Sequence, residues 1–319
     1  MRFARFHTDD SEVIAAAAEG GTWVPVAGLV PDAPDDMLGL LDSWPQLKAR
    51  AEGALTGSNW QALPAEAEPL LPFRPASLRD FMLSETHAVE AARGYLRRFK
   101  PGLLKVADGY EKLTGRTFPA LKPKPLWYRQ PVYYLTNHLN VVTDGAAIDW
   151  PDYTDALDYE LELAFVITKP LLNATREEAE AAIGGFLILN DFSARDVQLD
   201  EMKSGFGPQK CKHFVNALSA TVATADDILP RIDTVKGEVR INGERIVESR
   251  NSDLQHDAAD VLVHVSRAER LHPGEVFGLG TMPGGCAMEN GRWLASGDEI
   301  ELAVEGIGTL TNRIGRRGG

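Results

Sequence analysis

From about Pro123 onward this chain consists mostly of short runs rich in β-branched and aromatic residues, each stopped by Gly, Pro, Asn or Asp. LWYRQPVYYL, LNVVT, YELELAFVIT, GFLILND, GEVRING, ERIVES and EIELAVEGIGTLTNRI all read as strands. Only ATREEAEAAIG and DAADVLVHVSRAER interrupt them with helical spacing, and Asn242-Gly243 within INGERI is a hairpin signal. Such a succession lacks the regular strand–helix alternation of a doubly wound nucleotide fold, and it excludes a helical bundle. The pattern predicts an α+β, β-rich fold with helices at its periphery.

The first 75 residues differ in texture, carrying 11 acidic and 5 basic residues. MRFARF and GTWVPVAGL predict short strands around a small helix. In LPAEAEPLLPFRPAS, the prolines at 64, 69, 72 and 75 restrict the backbone and predict a linker. The expected organisation is a small N-terminal domain over residues 1–75 and a main body over 76–319. The main body would open on a helix, SLRDFMLSETHAVEAARGYLRRF, capped by Ser77 and striped by Phe81, Ala88, Ala91 and Leu96.

A net charge of −13 argues against nucleic acid and against anionic lipid, both of which call for a basic surface. No apolar run approaches the roughly 18 residues of a membrane span. SEVIAAAAEG is flanked by acids, the wrong charge for a signal peptide, and Cys211 and Cys286 form no redox or metal spacing. These features together predict a cytoplasmic protein with reduced thiols.

The candidate chemistry begins at DYELELAFVIT. On a strand Glu160 and Glu162 project to one side, and two adjacent carboxylates repel unless a cation lies between them. A solvated face is the ordinary explanation of Glu-x-Glu, but AFVI follows at once and reads as buried. GGFLILND then ends an apolar strand on Asp191, where a turn or helix cap is the alternative. Three acids without a Cys or His pair suit a hard divalent cation, Mg²⁺ or Mn²⁺, and Ca²⁺ can also take such a set.

DYELEL, NDFSARDVQ, KCKHF and GTMPGG, in this order and spacing, resemble the fumarylacetoacetate hydrolase family over roughly residues 77–312. RDFMLSETH is similar to the family's segment in which an Asp precedes a His by seven residues. The resemblance implies the family's catalytic fold, a mixed β-sandwich or roll with peripheral helices behind a smaller N-terminal domain, commonly as a homodimer. It implies Mg²⁺ or Mn²⁺ held by Glu160, Glu162 and Asp191 with Asp80 as fourth ligand, and His87 as general base oriented by Glu289. Asp80 and His87 would share one helix face. Arg195, Gln198 and Thr281 would bind substrate, and Lys212 would stand beside the metal, while Lys210 faces solvent. Cys211, between two lysines, could be activated or a buried bystander, and the bystander reading is preferred.

The implied substrate is a small anionic 2-oxo or 1,3-dicarbonyl acid, of the kind met in aromatic-compound catabolism. Hydrolysis of a carbon–carbon bond in a β-diketo acid is the expected reaction. Decarboxylation, tautomerisation, isomerisation or dehydration of a 2-oxo acid such as oxaloacetate is the alternative, and a metal-stabilised binding protein without turnover is a third reading. Met82 stands where the fumarylacetoacetate enzyme itself has a Tyr, and the TNHLNVV loop also differs, so the resemblance is to the family rather than to that enzyme. Phe81, Met82, Tyr133, Asn137 and His138 are the expected pocket wall.

Overall fold

The computed structural model describes residues 1–8, 11–57 and 60–317. Its organising element is the strand Glu160–Ile167, in which every residue is buried. Ile183–Asn190 and Glu275–Cys286 flank it, both antiparallel. Beyond Glu275–Cys286 lie Ser77–Phe81, running parallel to it, and then Tyr133–Leu135. On the other side the same twelve-stranded sheet continues through Thr221–Thr224, Arg2–His7, Glu12–Ala17 and Trp23–Pro25. A second sheet of five strands runs in the order Glu244–Arg250, Lys236–Ile241, Glu299–Val304, Gly308–Arg317, Ala147–Trp150. Its hairpin turns at Asn242 and Gly243, with φ of 53° and 79°, the left-handed conformation that an Asn-Gly turn supplies.

Strand alternation divides the interior into two cores. Leu161, Leu163, Phe165 and Ile167 join Phe186 and Phe277, together with Val239, Ile300 and Leu302 from the second sheet. The Phe165 and Phe277 rings stack at 5.1 Å. The intervening residues, Ala164 and Val166, join Leu78, Leu187, Leu189 and Val276 under the helix Met37–Thr56, which contributes Leu40, Leu41 and Trp44. Full burial of each such Leu is worth about 1.5–3 kcal/mol relative to leaving it exposed.

Several segments depart from the sequence-based expectation: Val26–Leu29 of GTWVPVAGL is helical, only Tyr133–Leu135 of LWYRQPVYYL is a strand, and two further departures follow. Residues 77–81 form a strand rather than the first turns of a helix, because Ser77–Asp80 pairs in register with Glu275–Gly278 and Arg79–Phe81 with Tyr133–Leu135. Pairing on both sides outweighs local helix preference. The helix starts at Glu85, capped by Ser84, whose hydroxyl accepts from the His87 N–H at 3.1 Å. Asp80 and His87 therefore do not share a helix face. Likewise the alanine-rich Glu12–Ala17 is a strand, held between Arg2–His7 and Trp23–Pro25. The helices expected in ATREEAEAAIG and DAADVLVHVSRAER form as Arg176–Ala182 and Ala258–Val265, each closed by a capping box.

The helix Glu85–Phe99 meets the short turn Ala287–Asn290 at Gly94, where a Cβ would lie 1.6 Å from the Met288 carbonyl oxygen. Backbone cannot yield as a side chain does, so Gly94→Ala is expected to cost about 3 kcal/mol. Urea unfolding of the variant measures it, and a midpoint unchanged from the parent would refute this packing.

Candidate active site

The rows of the second core change character at one end of the sheet. Val166 and Ala164 are followed on the same face by Glu162 and Glu160, Leu189 by Asp191, and Leu78 by Asp80. A row that is apolar beneath the helix Met37–Thr56 thus becomes acidic where the sheet lines a cavity of about 760 Å³. Gly278, registered with both Asp80 and Ala164, makes the space. A Cβ there would sit 2.4 Å from Asp80 Oδ1 and 3.0 Å from Glu162 Oε2. Gly280, at φ +88°, lies at a register shift in the same strand, and Thr281 then donates to Glu162 Oε1 at 3.3 Å.

Asp80, Glu162 and Asp191 each offer an oxygen within 4.8 Å of the others. Asp80 Oδ1, Glu162 Oε2 and Asp191 Oδ1 are buried and have no hydrogen-bond partner among the described residues. Burial, followed by the charges of Asp80, Glu160 and Asp191, pushes the Glu162 carboxyl well above the usual carboxylate range. Burial also raises Asp80 and Asp191 against the pull of Lys212. Orphaned oxygens converging from three strands, with no thiol or imidazole among them, fit a hard divalent cation. Asp191 Oδ2 is held from the other side by the Tyr134 hydroxyl and the Lys212 ammonium.

Glu160 adjoins this trio but is differently engaged. Its Oε1 accepts from Arg195 Nη2 at 2.6 Å, and its Oε2 from Lys212. Burial alone would raise it, yet Arg195, Lys212 and His87 together hold it well below the usual range. Lys212, 3% exposed, bridges Glu160 and Asp191; burial disfavours its charge, but those two carboxylates more than restore it. Arg195 also donates from Nε to Asp158 at 2.8 Å and from Nη1 to Gln198 at 3.0 Å.

Across the cavity floor His87 Nδ1 lies 2.9 Å from Glu289 Oε2, and its Nε2 lies 4.0 Å from Glu160 Oε1. The carboxylate partner makes Nδ1 the donor and leaves the Nε2 lone pair toward the cavity. Glu289 is fixed in turn by the Gly284 N–H at 2.9 Å and the Cys286 thiol at 3.2 Å. Burial lowers the His87 pKa, but the charge and hydrogen bond of Glu289 and the charge of Glu160 together outweigh it and leave the imidazole above its ordinary value. His87, Cys286 and Glu289 form a second group whose ligand atoms are close enough for a metal.

All ten residues singled out from the sequence thus gather around one region, reached from separate strands and helices. Three contributors were not singled out. Asp158 accepts from Arg195, from the N–H groups of Ala287 and Met288 at 2.7 and 3.1 Å, and from that of Tyr159 at 2.8 Å. Its signal was present, since Asp158, Glu160 and Glu162 alternate in DYELEL. Tyr134 and Cys286 carried no comparable sequence mark. Phe81, Met82 and Tyr133 line the cavity, whereas Asn137 and His138 do not. Cys211 is the buried bystander: burial, then its bond with Glu201, pushes its thiol up to about 12.

Residues 106–315 match the family model described as fumarylacetoacetate (FAA) hydrolase, C-terminal. The chain belongs to this family. Its solved and curated relatives include hydrolases, isomerases and tautomerases. Oxaloacetate tautomerase YisK of Bacillus subtilis is 28% identical over 192 residues, 60% of this chain and 61% of that protein, so the alignment spans about three fifths of that relative. The fold is that of the fumarylacetoacetate hydrolase from Exiguobacterium antarcticum, with 23% identity, TM-score 0.69, and coverage of 99% of this chain and 100% of that one. A maleylpyruvate hydrolase from Sphingobium sp. SYK-6, solved with manganese(II) and pyruvate, is 18% identical with TM-score 0.69 and full coverage of both chains. Asp80 and His87 precede the segment matched by the family model. Among the described residues no helix is long and apolar enough to cross a membrane.

Two variants separate metal binding from folding. Glu162→Gln removes charge from the crowded trio, so in EDTA it is expected to melt no lower than the parent. It should also lose the thermal shift that Mg²⁺ or Mn²⁺ gives the parent, a stabilisation of about 2.7 kcal/mol at one hundred times Kd. Gly278→Ala, which crowds Asp80 and Glu162, should lose the same shift. A parent indifferent to both cations in differential scanning fluorimetry would remove the trio as a metal site.

Proposed function

We propose that this chain is a divalent-metal-dependent enzyme that enolises a small 2-oxo or 1,3-dicarbonyl acid, of the tautomerase, isomerase or decarboxylase kind. One observation carries the reading: His87, paired with Glu289, lines the same cavity as Asp80 and Glu162, whose unpartnered oxygens converge with that of Asp191. The likeness to an oxaloacetate tautomerase supports it. Mg²⁺ or Mn²⁺ held by Asp80, Glu162 and Asp191 would supply Lewis-acid polarisation of the 2-oxo group.

The chain's own groups do the rest. Arg195, whose Nη1 donates to the Gln198 amide oxygen, and the Gln198 amide, both in the cavity lining, hold the substrate carboxylate. His87 Nε2 takes the proton from the carbon next to the ketone, and the imidazolium is stabilised by Glu289. The same His87 N–H returns the proton to oxygen or to carbon, which completes a keto–enol exchange without net loss of atoms. The Lys212 ammonium and the Thr281 hydroxyl, both within the cavity wall, offset negative charge as it develops.

The same pair favours a second reading, hydrolysis of a carbon–carbon bond in a β-diketo acid, in which His87 takes its proton from water instead of carbon. A structural metal in a non-catalytic binding protein accounts least well for a base held by an acid that is itself held by two further donors.

His87→Ala is expected to lower kcat for keto–enol exchange about 10²–10⁴-fold with Mg²⁺ or Mn²⁺ present. Decay of enol absorbance for oxaloacetate and of diketone absorbance for acylpyruvates reads the two reactions side by side. Exchange that survives His87→Ala while diketone cleavage is abolished would hand the site to hydrolysis. Parent protein inert in both assays would end both readings.

A further inference from the structure

The helix Glu85–Phe99 places His87, Ala88, Ala91, Ala92 and Tyr95 along one wall of the cavity. At 1.5 Å per residue, Tyr95 lies about 12 Å along that wall from His87. The alanines between them leave a lane that larger side chains would fill. Leu199 and Met202 of the helix Arg195–Lys203, with Phe206 just beyond it, add further apolar lining.

Charge is distributed very unevenly over this lining. Its Asp, Glu, Arg and Lys residues are Asp80, Glu160, Glu162, Arg195 and Lys212, all of which belong to the carboxylate end. Toward Tyr95 the lining carries no Arg or Lys side chain among the described residues. Lys203 and Asp200, whose charges reach Tyr95, answer each other at 3.3 Å, and His213 is bonded to the Leu135 carbonyl oxygen at 3.0 Å. Met202 and Phe206, 52% and 83% exposed, put apolar surface at the mouth that a ligand's apolar part would cover.

We propose that the substituent carried beyond the 2-oxo acid is an uncharged apolar chain or ring lying along the Ala88–Ala92–Tyr95 wall, and that the site discriminates against a second carboxylate. Ala92 and Met202 are the specificity-determining positions. This rests on the reading that the polar end takes a 2-oxo acid. A carboxylate that gives up water for a lining without a cationic partner is penalised, whereas each methylene covered by that lining is favourable.

N-alkyl oxamates, which keep the oxygens of a 2-oxo acid without turning over, test the tail separately from the chemistry. Calorimetry with Mn²⁺-loaded protein compares oxamate with its N-methyl, N-butyl and N-octyl derivatives and with an N-carboxyalkyl derivative matched in length to N-butyl. Affinity is expected to rise by up to about four-fold per methylene, and the charged tail should bind at least about ten-fold more weakly than N-butyl. Ala92→Leu should reverse the order at the long end, and Met202→Ala, at a half-exposed position that tolerates change, should weaken the N-octyl compound most. Tight oxamate binding with no gain along the series, or a charged tail bound as well as N-butyl, overturns the inference and leaves the enolising function standing. A rising series on a protein inert toward 2-oxo acids does the opposite, and failure of every compound to bind removes both.

Discussion

Three carboxylates converge on one face of a buried sheet, each with an oxygen that no protein donor reaches. Water is largely excluded, so mutual repulsion is weakly screened and the charged forms are costly. The surrounding structure answers this constraint with cations and fixed dipoles. Lys212 spans Glu160 and Asp191, Arg195 spans Glu160 and Asp158, and Tyr134 braces Asp191. These groups compensate Glu160 fully and the trio only in part. The remaining deficit is what would give the trio an affinity for a divalent cation.

Asp158 connects the charge network to the acid–base pair. One carboxylate holds the Arg195 guanidinium and also the first N–H groups of the Ala287–Asn290 turn, which carries Glu289. The position of His87 relative to Glu160 is thus set through a chain of buried hydrogen bonds and through the Gly94–Met288 approach, not by a flexible loop. An imidazole–carboxylate pair assembled from residues 202 positions apart is held by backbone contacts on both sides.

Overall charge is a poor guide to the site. At −13 the protein is acidic as a whole, yet Arg195, Lys212 and a divalent ion at the trio would make the cavity floor receptive to an anion. Farther from that floor the lining is apolar, so the cavity has two chemistries along its length, and this axis was invisible in composition.

The sequence by itself determined the central strands of the main body, their alternation and most of the acids. DYELEL and GFLILND declare which side chains share a face, because a strand has a period of two whatever it packs against. KCKHF and NDFSARD carried Lys212 and Arg195 by resemblance. Local pattern failed at residues 77–81, where a helix-like run became a strand because two neighbours were waiting to pair with it, and so Asp80 reached the trio by a different route from the one expected. Only the tertiary structure decided that Glu160 is committed to cations while Asp80, Glu162 and Asp191 are left unsatisfied, and that Glu289 meets His87. Those outcomes depend on distances between segments far apart in the chain, and on a glycine small enough to let Asp80 and Glu162 approach, neither of which a local pattern encodes.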